Sequence, residues 1–180
     1  MFKPTYIFNG IEDIKIEFLK RENIKYLLMD LDNTIIDTKM NISKKKRKWL
    51  DEVLKSGIKI CILSNSSNQA KVSSVAKMLD IPYLLNACKP AKRGFEIGIK
   101  LLDAEKENTV LIGDQVFTDV LGANRFKIRS ILVSPFDSKE PIWVKLKRPV
   151  EKLILKTVKS LEIIEYTRKK NKKWYMLFYY

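Results

Sequence analysis

Residues 26–34 read YLLMDLDNT: four apolar residues, two aspartates two positions apart, then Asn and Thr. A short apolar run without alternating polar positions suits a strand buried on both faces of a parallel sheet. Four more such runs stand at 58–63, 83–85, 110–112 and 131–133. Segments of helical period separate them: 44–55 after a Ser43 cap and before Gly57, 68–79 after Ser67, then 93–102 and 116–126. Strand alternating with helix predicts an α/β fold with a doubly wound parallel sheet. Ligands of such sheets bind beyond the carboxyl ends of the strands, which draws attention to the polar residues after each run: Asp30, Ser64, Lys89 and Asp114.

The 180-residue chain, 46% apolar, is long enough for one domain with a proper core. Its 35 Lys and Arg against 21 Asp and Glu leave a formal charge of +14, which favours anionic partners: phosphate esters, nucleic acid or an anionic membrane surface. There is no His, so acid-base or metal chemistry must rest on carboxylates, Lys or Cys. Cys61 and Cys88 lack the paired spacing of a zinc site or a disulfide framework, which points to a reducing, cytoplasmic setting. The N-terminus has no apolar core of the signal-peptide kind, and no stretch approaches the roughly 20 apolar residues of a membrane span.

Asp30 and Asp32 project to one side if the chain is still extended there. Two carboxylates so close repel unless a cation or a shared proton offsets them, and bringing a phosphate dianion to them would be prohibitive without one. Mg²⁺ suits the position, because it takes hard oxygen ligands from one or two carboxylates and completes its shell with water and substrate phosphate. DLDNT alone is equally an Asn and Asp turn, with a helix cap at Asp32 or Asn33. The ends of later strands favour chemistry: Ser64 in LSNSS, Lys89 in CKP, and Asp114 with Asp119 in GDQVFTD. Each has an ordinary reading as well: Ser64 a turn hydroxyl, Lys89 a solvated surface charge, Asp114 a cap for the helix from Val116. Together they supply what phosphoryl transfer needs: a nucleophile, a proton carrier, donors for the equatorial oxygens and a metal anchor.

The order DLDNT, Ser, Lys-Pro, GDxxxxD resembles the haloacid dehalogenase (HAD) superfamily over 26–135. That resemblance implies a Rossmann-like, HAD-like fold and an aspartyl-phosphate mechanism. Asp30 would be nucleophile and metal ligand. Asp32 would be the general acid-base residue, its backbone carbonyl also meeting the metal. Ser64, Asn65 and Lys89 would bind the phosphoryl oxygens, with Thr34 holding the loop beside them. Asp114 would ligate Mg²⁺ and Asp119 would order its outer shell, while Lys92 is a weaker substitute for Lys89. Asp32 favours hydrolysis, since the superfamily's dehalogenases lack that residue and its ion pumps carry DKTGT. Spans of 34 residues from Asp30 to Ser64 and 25 from Ser64 to Lys89 leave no room for a large cap domain. An open site suits a bulky substrate presented on a surface better than an enclosed metabolite.

Within the superfamily, DLDNT, ACKPAKRGF and GDQVFTDVLGANR with its downstream ILVSP are most similar to the YqeG-like, subclass IIIA phosphatases related to phosphatidylglycerophosphate phosphatase. The substrate so implied is phosphatidylglycerophosphate, converted to phosphatidylglycerol. The alternatives are a phosphatase of soluble sugar phosphates, nucleotides or phosphoproteins, and a non-enzymatic receiver-like domain.

The phosphatase domain is expected over 1–148. Residues 149–180 then form a basic amphipathic helix, with Val150, Ile154, Val158, Leu161 and Ile164 at helical spacing, followed by TRKKNKK and the aromatic tail WYMLFYY. Between 139 and 173 there are 12 basic and 4 acidic residues, so +8 of the net charge lies there. That segment suits peripheral contact with an anionic membrane on its cytoplasmic face. The helix itself reads as packed on the domain and the run from Arg168 onward as the surface contact, with a disordered tail the bland alternative and a grip on single-stranded nucleic acid the weaker one.

Overall fold

The computed structural model describes residues 1–136 and 149–151. Six parallel strands form one sheet: β1 (Tyr6–Phe8), β2 (Tyr26–Met29), β3 (Lys59–Leu63), β4 (Tyr83–Leu84), β5 (Thr109–Gly113) and β6 (Arg129–Val133). Helices α1 (Ile16–Arg21), α2 (Lys44–Lys55), α3 (Gln69–Leu79), α4 (Lys92–Leu102) and α5 (Leu121–Phe126) accompany them. The order β1-β6-β5-β2-β3-β4 puts β2 at the centre, where successive connections reverse direction, first towards β3 and β4 and then back to β5 and β6. That reversal opens a crevice at the carboxyl end of β2.

Side-chain alternation assigns the two faces. Leu27, Met29, Ile60, Ile62, Val110 and Ile112 pack with Trp49, Leu50 and Val53 of α2 and with Val72, Val75 and Leu79 of α3. Leu28, Cys61, Leu63 and Leu111 point the other way, onto Phe95 and Leu102 of α4 and Ala123 and Phe126 of α5. The doubly wound sheet is thus present, and among the described residues every strand belongs to it, with no large cap domain.

Apart from shifts of one or two residues at the ends of β3 to β6, the elements differ from expectation in four places. The α3 cap is Asn68, whose side chain accepts from the Lys71 amide, and not Ser67. Helix α4 begins one residue earlier, at Lys92. The segment expected as one helix over 116–126 opens as a π-helical turn, Val116–Val120, with Gln115 rather than Asp114 at the N-cap position and no side-chain cap from it. There the Asp119 carboxylate folds back to accept the Gln115 amide at 3.0 Å, widening the turn. Finally, β1 and α1 join the fold without having been read from the sequence, β1 pairing with β6 through Tyr6, Ile7 and Phe8. The Ser43 cap of α2 and the positive φ of 85° at Gly57 match expectation.

Residues 149–151 are helical, and the buried Glu151 carboxylate accepts from the amides of Val116 at 2.8 Å and Phe117 at 3.3 Å. This satisfies two donors at the start of the π-turn, where a negative charge is favoured. The remainder of the amphipathic stretch, TRKKNKK and the aromatic tail lie outside the described residues.

Candidate active site

Met29, the last residue of β2, pairs with Ile62 of β3 on one side and Ile112 of β5 on the other. Beyond these pairs, Asp30, Ser64 and Asp114 are the first residues after three adjacent strands, and Asp30 extends the ladder by donating its amide to the Ile112 carbonyl at 2.9 Å. Asp30, Ser64, Asp114 and Asp119 are all buried. A side chain at Gly113 would collide with the Asp119 carboxyl group, so the glycine of GDxxxxD is the space that lets this carboxylate fold back under the strand end.

Carboxylate oxygens of Asp30, Asp114 and Asp119 lie within 4.8 Å of one another. Lys89 enters from the loop after β4, its side chain only 1% exposed, with Nζ 2.6 Å from Asp30 Oδ1 and 2.7 Å from Asp119 Oδ1. Backbone at Asn86 and Cys88 adopts positive φ, 48° and 54°, which turns the loop inward. Asn65 locks this loop: its Oδ1 accepts from the Lys89 amide at 2.7 Å and its Nδ2 donates to the Lys89 carbonyl at 3.0 Å. The Asn65 side chain is therefore engaged with Lys89 backbone. Lys92, the substitute considered for Lys89, is exposed at the start of α4.

Burial pushes the Asp30 carboxyl up to about 7; Lys89 opposes the rise, while Asp119 and Asp32 add to it. For Lys89, burial acts downward, but Asp119 and Asp30 outweigh it and hold the ammonium above its usual range. The pair is thus a protonated lysine between carboxylates that repel one another. Asp30 Oδ2 is buried and has no hydrogen-bond partner among the described residues. Both Asp119 oxygens are engaged, one by Lys89 and one by the Gln115 amide.

Asp32 differs from Asp30 in setting. Its side chain is 49% exposed and takes two contacts from Lys71 Nζ in the first turn of α3, at 2.7 and 2.9 Å. Ser64 Oγ accepts the Ser66 amide at 3.1 Å, which leaves its hydroxyl proton to donate. Thr34 is fully buried, and its Oγ1 has no hydrogen-bond partner among the described residues.

Two groups that the sequence did not single out hold the DLDNT loop. Lys46, buried under α2, donates from Nζ to the Thr34 carbonyl at 2.6 Å and sits 3.7 Å from the Phe136 ring centroid. Phe136 in turn donates its amide to the Asn33 carbonyl at 2.8 Å. Burial pulls Lys46 down to about 8, against Glu12, Asp114 and Asp37, which raise it. Because an unfolded Lys46 keeps its proton to 10.5, the unfolded chain binds more protons between those values, and native stability rises with pH across them. Against Lys46→Met, wild type is expected to gain roughly 2 kcal/mol between pH 8 and pH 10. Denaturant melts of both proteins at the two pH values check this, and a constant gap contradicts it.

A cavity of about 290 Å³ lined by Lys20, Lys25, Ser56 and Lys59 lies at the opposite, amino end of β2 and β3 and holds no carboxylate.

A family described as HAD-hydrolase-like matches residues 86–140. The chain is 36% identical over 159 residues to "Probable phosphatase YqeG" of Bacillus subtilis (strain 168), covering 88% of this chain and 92% of that protein. Among solved structures, the cobalt-bound deoxy-D-mannose-octulosonate 8-phosphate phosphatase YrbI of Haemophilus influenzae is similar with a TM-score of 0.53 at 20% identity, over 76% of this chain and 90% of that one. A protein from Listeria monocytogenes serotype 4b gives 0.52 at 21% identity, over 75% and 100%. These two likenesses concern the fold.

Proposed function

The chain belongs to the YqeG-like phosphatases of the HAD superfamily, and from that membership we propose that it is a magnesium-dependent phosphomonoester hydrolase that works through a phosphorylated Asp30 and acts on phosphatidylglycerophosphate. The observation that carries the reading is the buried cluster of Asp30, Asp114 and Asp119 at the end of β2 and β5, with Asp30 Oδ2 unpartnered among the described residues. Carboxylates outnumber the buried ammonium groups, and such an excess in a protein interior is offset by protonation or by a bound cation, of which only the cation leaves Asp30 ionised for attack. All-oxygen donors of this kind fit Mg²⁺. Asp30, Asp114 and the Asp32 carbonyl would hold the ion, with Asp119 ordering its surroundings; when bound it would neutralise charge on the phosphoryl group and the nucleophile.

The remaining work falls to the chain's own groups. An Asp30 oxygen attacks phosphorus as the bond to the leaving oxygen breaks, and Asp32 gives that oxygen its proton, releasing the alcohol. Asp32 then takes a proton from water, which attacks phosphorus; the bond to Asp30 breaks, phosphate leaves and the carboxylate is restored. Lys89 and the Ser64 hydroxyl donate to phosphoryl oxygens. Asn65 acts at one remove, by holding Lys89 backbone. The half-exposed Asp32 is the group that an incoming substrate meets first, and the absence of a cap among the described residues suits a lipid head group presented at a surface. The +8 carried by residues 139–173 suits an anionic bilayer.

The test is phosphate release from phosphatidylglycerophosphate in vesicles and from small phosphomonoesters, each in EDTA and in Mg²⁺. Chelator is expected to silence both activities and Mg²⁺ to restore them, with the lipid preferred. Asp114→Asn is expected to raise the Mg²⁺ needed for half-maximal rate by at least about tenfold, one anionic ligand having been lost. Full activity in chelator contradicts the metal site, and a preference for small esters contradicts the lipid assignment.

A further inference from the structure

We propose that Lys71 selects leaving alcohols that carry an anionic group of their own. The proposal rests on the reading of Asp32 as the proton carrier, because that role places the leaving oxygen within hydrogen-bond reach of Asp32, about 2.6–3.2 Å. Lys71 Nζ is 2.7 Å from Asp32 Oδ1, so it stands within about 6 Å of the leaving oxygen. A substituent that the alcohol carries beyond that oxygen is then within reach of the ammonium.

Three observations make Lys71 more than a surface partner of Asp32. Its side chain is only 18% exposed, which limits the solvent screening of its charge. Asp32 takes two contacts from an ammonium that has three N–H donors, so one donor is without a partner among the described residues. Lastly, Lys71 occupies the first turn of α3, which contains no acidic residue. A cation there opposes the helix dipole, so helix stability does not account for it. The same dipole adds to the field of the ammonium, and both attract an anion.

An anionic substituent one glycerol unit from the scissile ester meets these requirements, as a phosphodiester or as a second phosphate. Neutral alcohols and simple aryl phosphates do not engage Lys71. The selectivity thus deepens the lipid assignment without depending on acyl chains.

The experiment compares kcat/KM in Mg²⁺ for glycerol 3-phosphate and for glycerophosphoglycerol phosphate, the deacylated head group, with glycerol 1,3-bisphosphate to separate a diester from a second monoester as the source of charge. Wild type is expected to favour the charged substrates by roughly tenfold or more, the effect of one added ion pair in a partly screened site. Lys71→Gln is expected to bring that ratio close to one, Lys71→Arg to keep most of it, and high salt to erode it in wild type. All three proteins should melt alike, since the Asp32 end of the pair is half exposed and such a pair contributes little to stability. A wild-type ratio near one, or an unchanged ratio in Lys71→Gln, overturns the proposal. Equal losses on all substrates overturn it too, leaving Lys71 as a support for Asp32 alone. If wild type hydrolyses none of them, the reading of Asp30 and Asp32 falls and takes the proposal with it.

Discussion

Asp30→Asn is expected to lower turnover by at least about 10⁴-fold, the scale of loss when a covalent nucleophile is removed. The amide keeps the shape of the carboxylate and its place at the end of β2, where the backbone bond to Ile112 is untouched. It has no anionic oxygen to attack phosphorus. The fold should survive, because Lys89 retains Asp119 as an ionic partner and one of several mutually repelling carboxylates is gone. Unfolding free energy in chelator should stay within about 1 kcal/mol of wild type. Circular dichroism, denaturant melts and phosphate release together check this. Substantial activity in a folded Asp30→Asn protein removes Asp30 as nucleophile.

Lys89→Met is expected to damage both stability and chemistry. The ammonium stands between Asp30 and Asp119 at 2.6 and 2.7 Å and is almost fully enclosed. Without it two buried carboxylates face each other, and breaking a buried pair in this way costs about 3–5 kcal/mol. For a chain of this size the melting temperature in EDTA should fall by roughly 10 °C. Catalysis should fall by about 10²–10³-fold, the usual effect of removing one donor to a developing oxyanion. Adding Asp119→Asn separates the two effects: with one buried charge removed, stability should partly return while activity does not. A variant that melts and turns over like wild type would contradict the arrangement described.

Much of this arrangement was legible because it lies at strand ends. The apolar runs of β2, β3 and β5 mark where the chain leaves the sheet, and the residues that follow, Asp30, Ser64 and Asp114, are brought together by strand order alone. The glycine and second aspartate of GDQVFTD share one cause, since the absence of a side chain at Gly113 makes room for Asp119. What escaped notice was weak in local signal or remote in sequence. Strand β1 is three residues long and is held in place by β6, more than 120 positions away. Lys46 stands in the run KKKRK, where four neighbours of the same character hide the one that turns inward to Thr34. Lys71 is one more lysine in a chain with a large basic excess, and only the fold of α3 beside the β2 loop gives it a partner. Glu151 caps the turn at Val116 from 35 residues downstream, a pairing that no periodicity reveals.

The central claim is that phosphorus is transferred to Asp30, and a rapid-quench experiment with ³²P-labelled substrate tests it most directly. With a labelled aryl phosphate, whose leaving group needs no proton from Asp32, Asp32→Asn still forms the Asp30 phosphate but lacks the group that takes a proton from the attacking water, so release should slow by roughly 10²–10⁴-fold and labelled protein should accumulate. The account predicts acid-stable label on the peptide that contains Asp30, dependent on Mg²⁺ and absent from Asp30→Asn. Label on another residue, or undiminished hydrolysis with no labelled protein at any time, would contradict it.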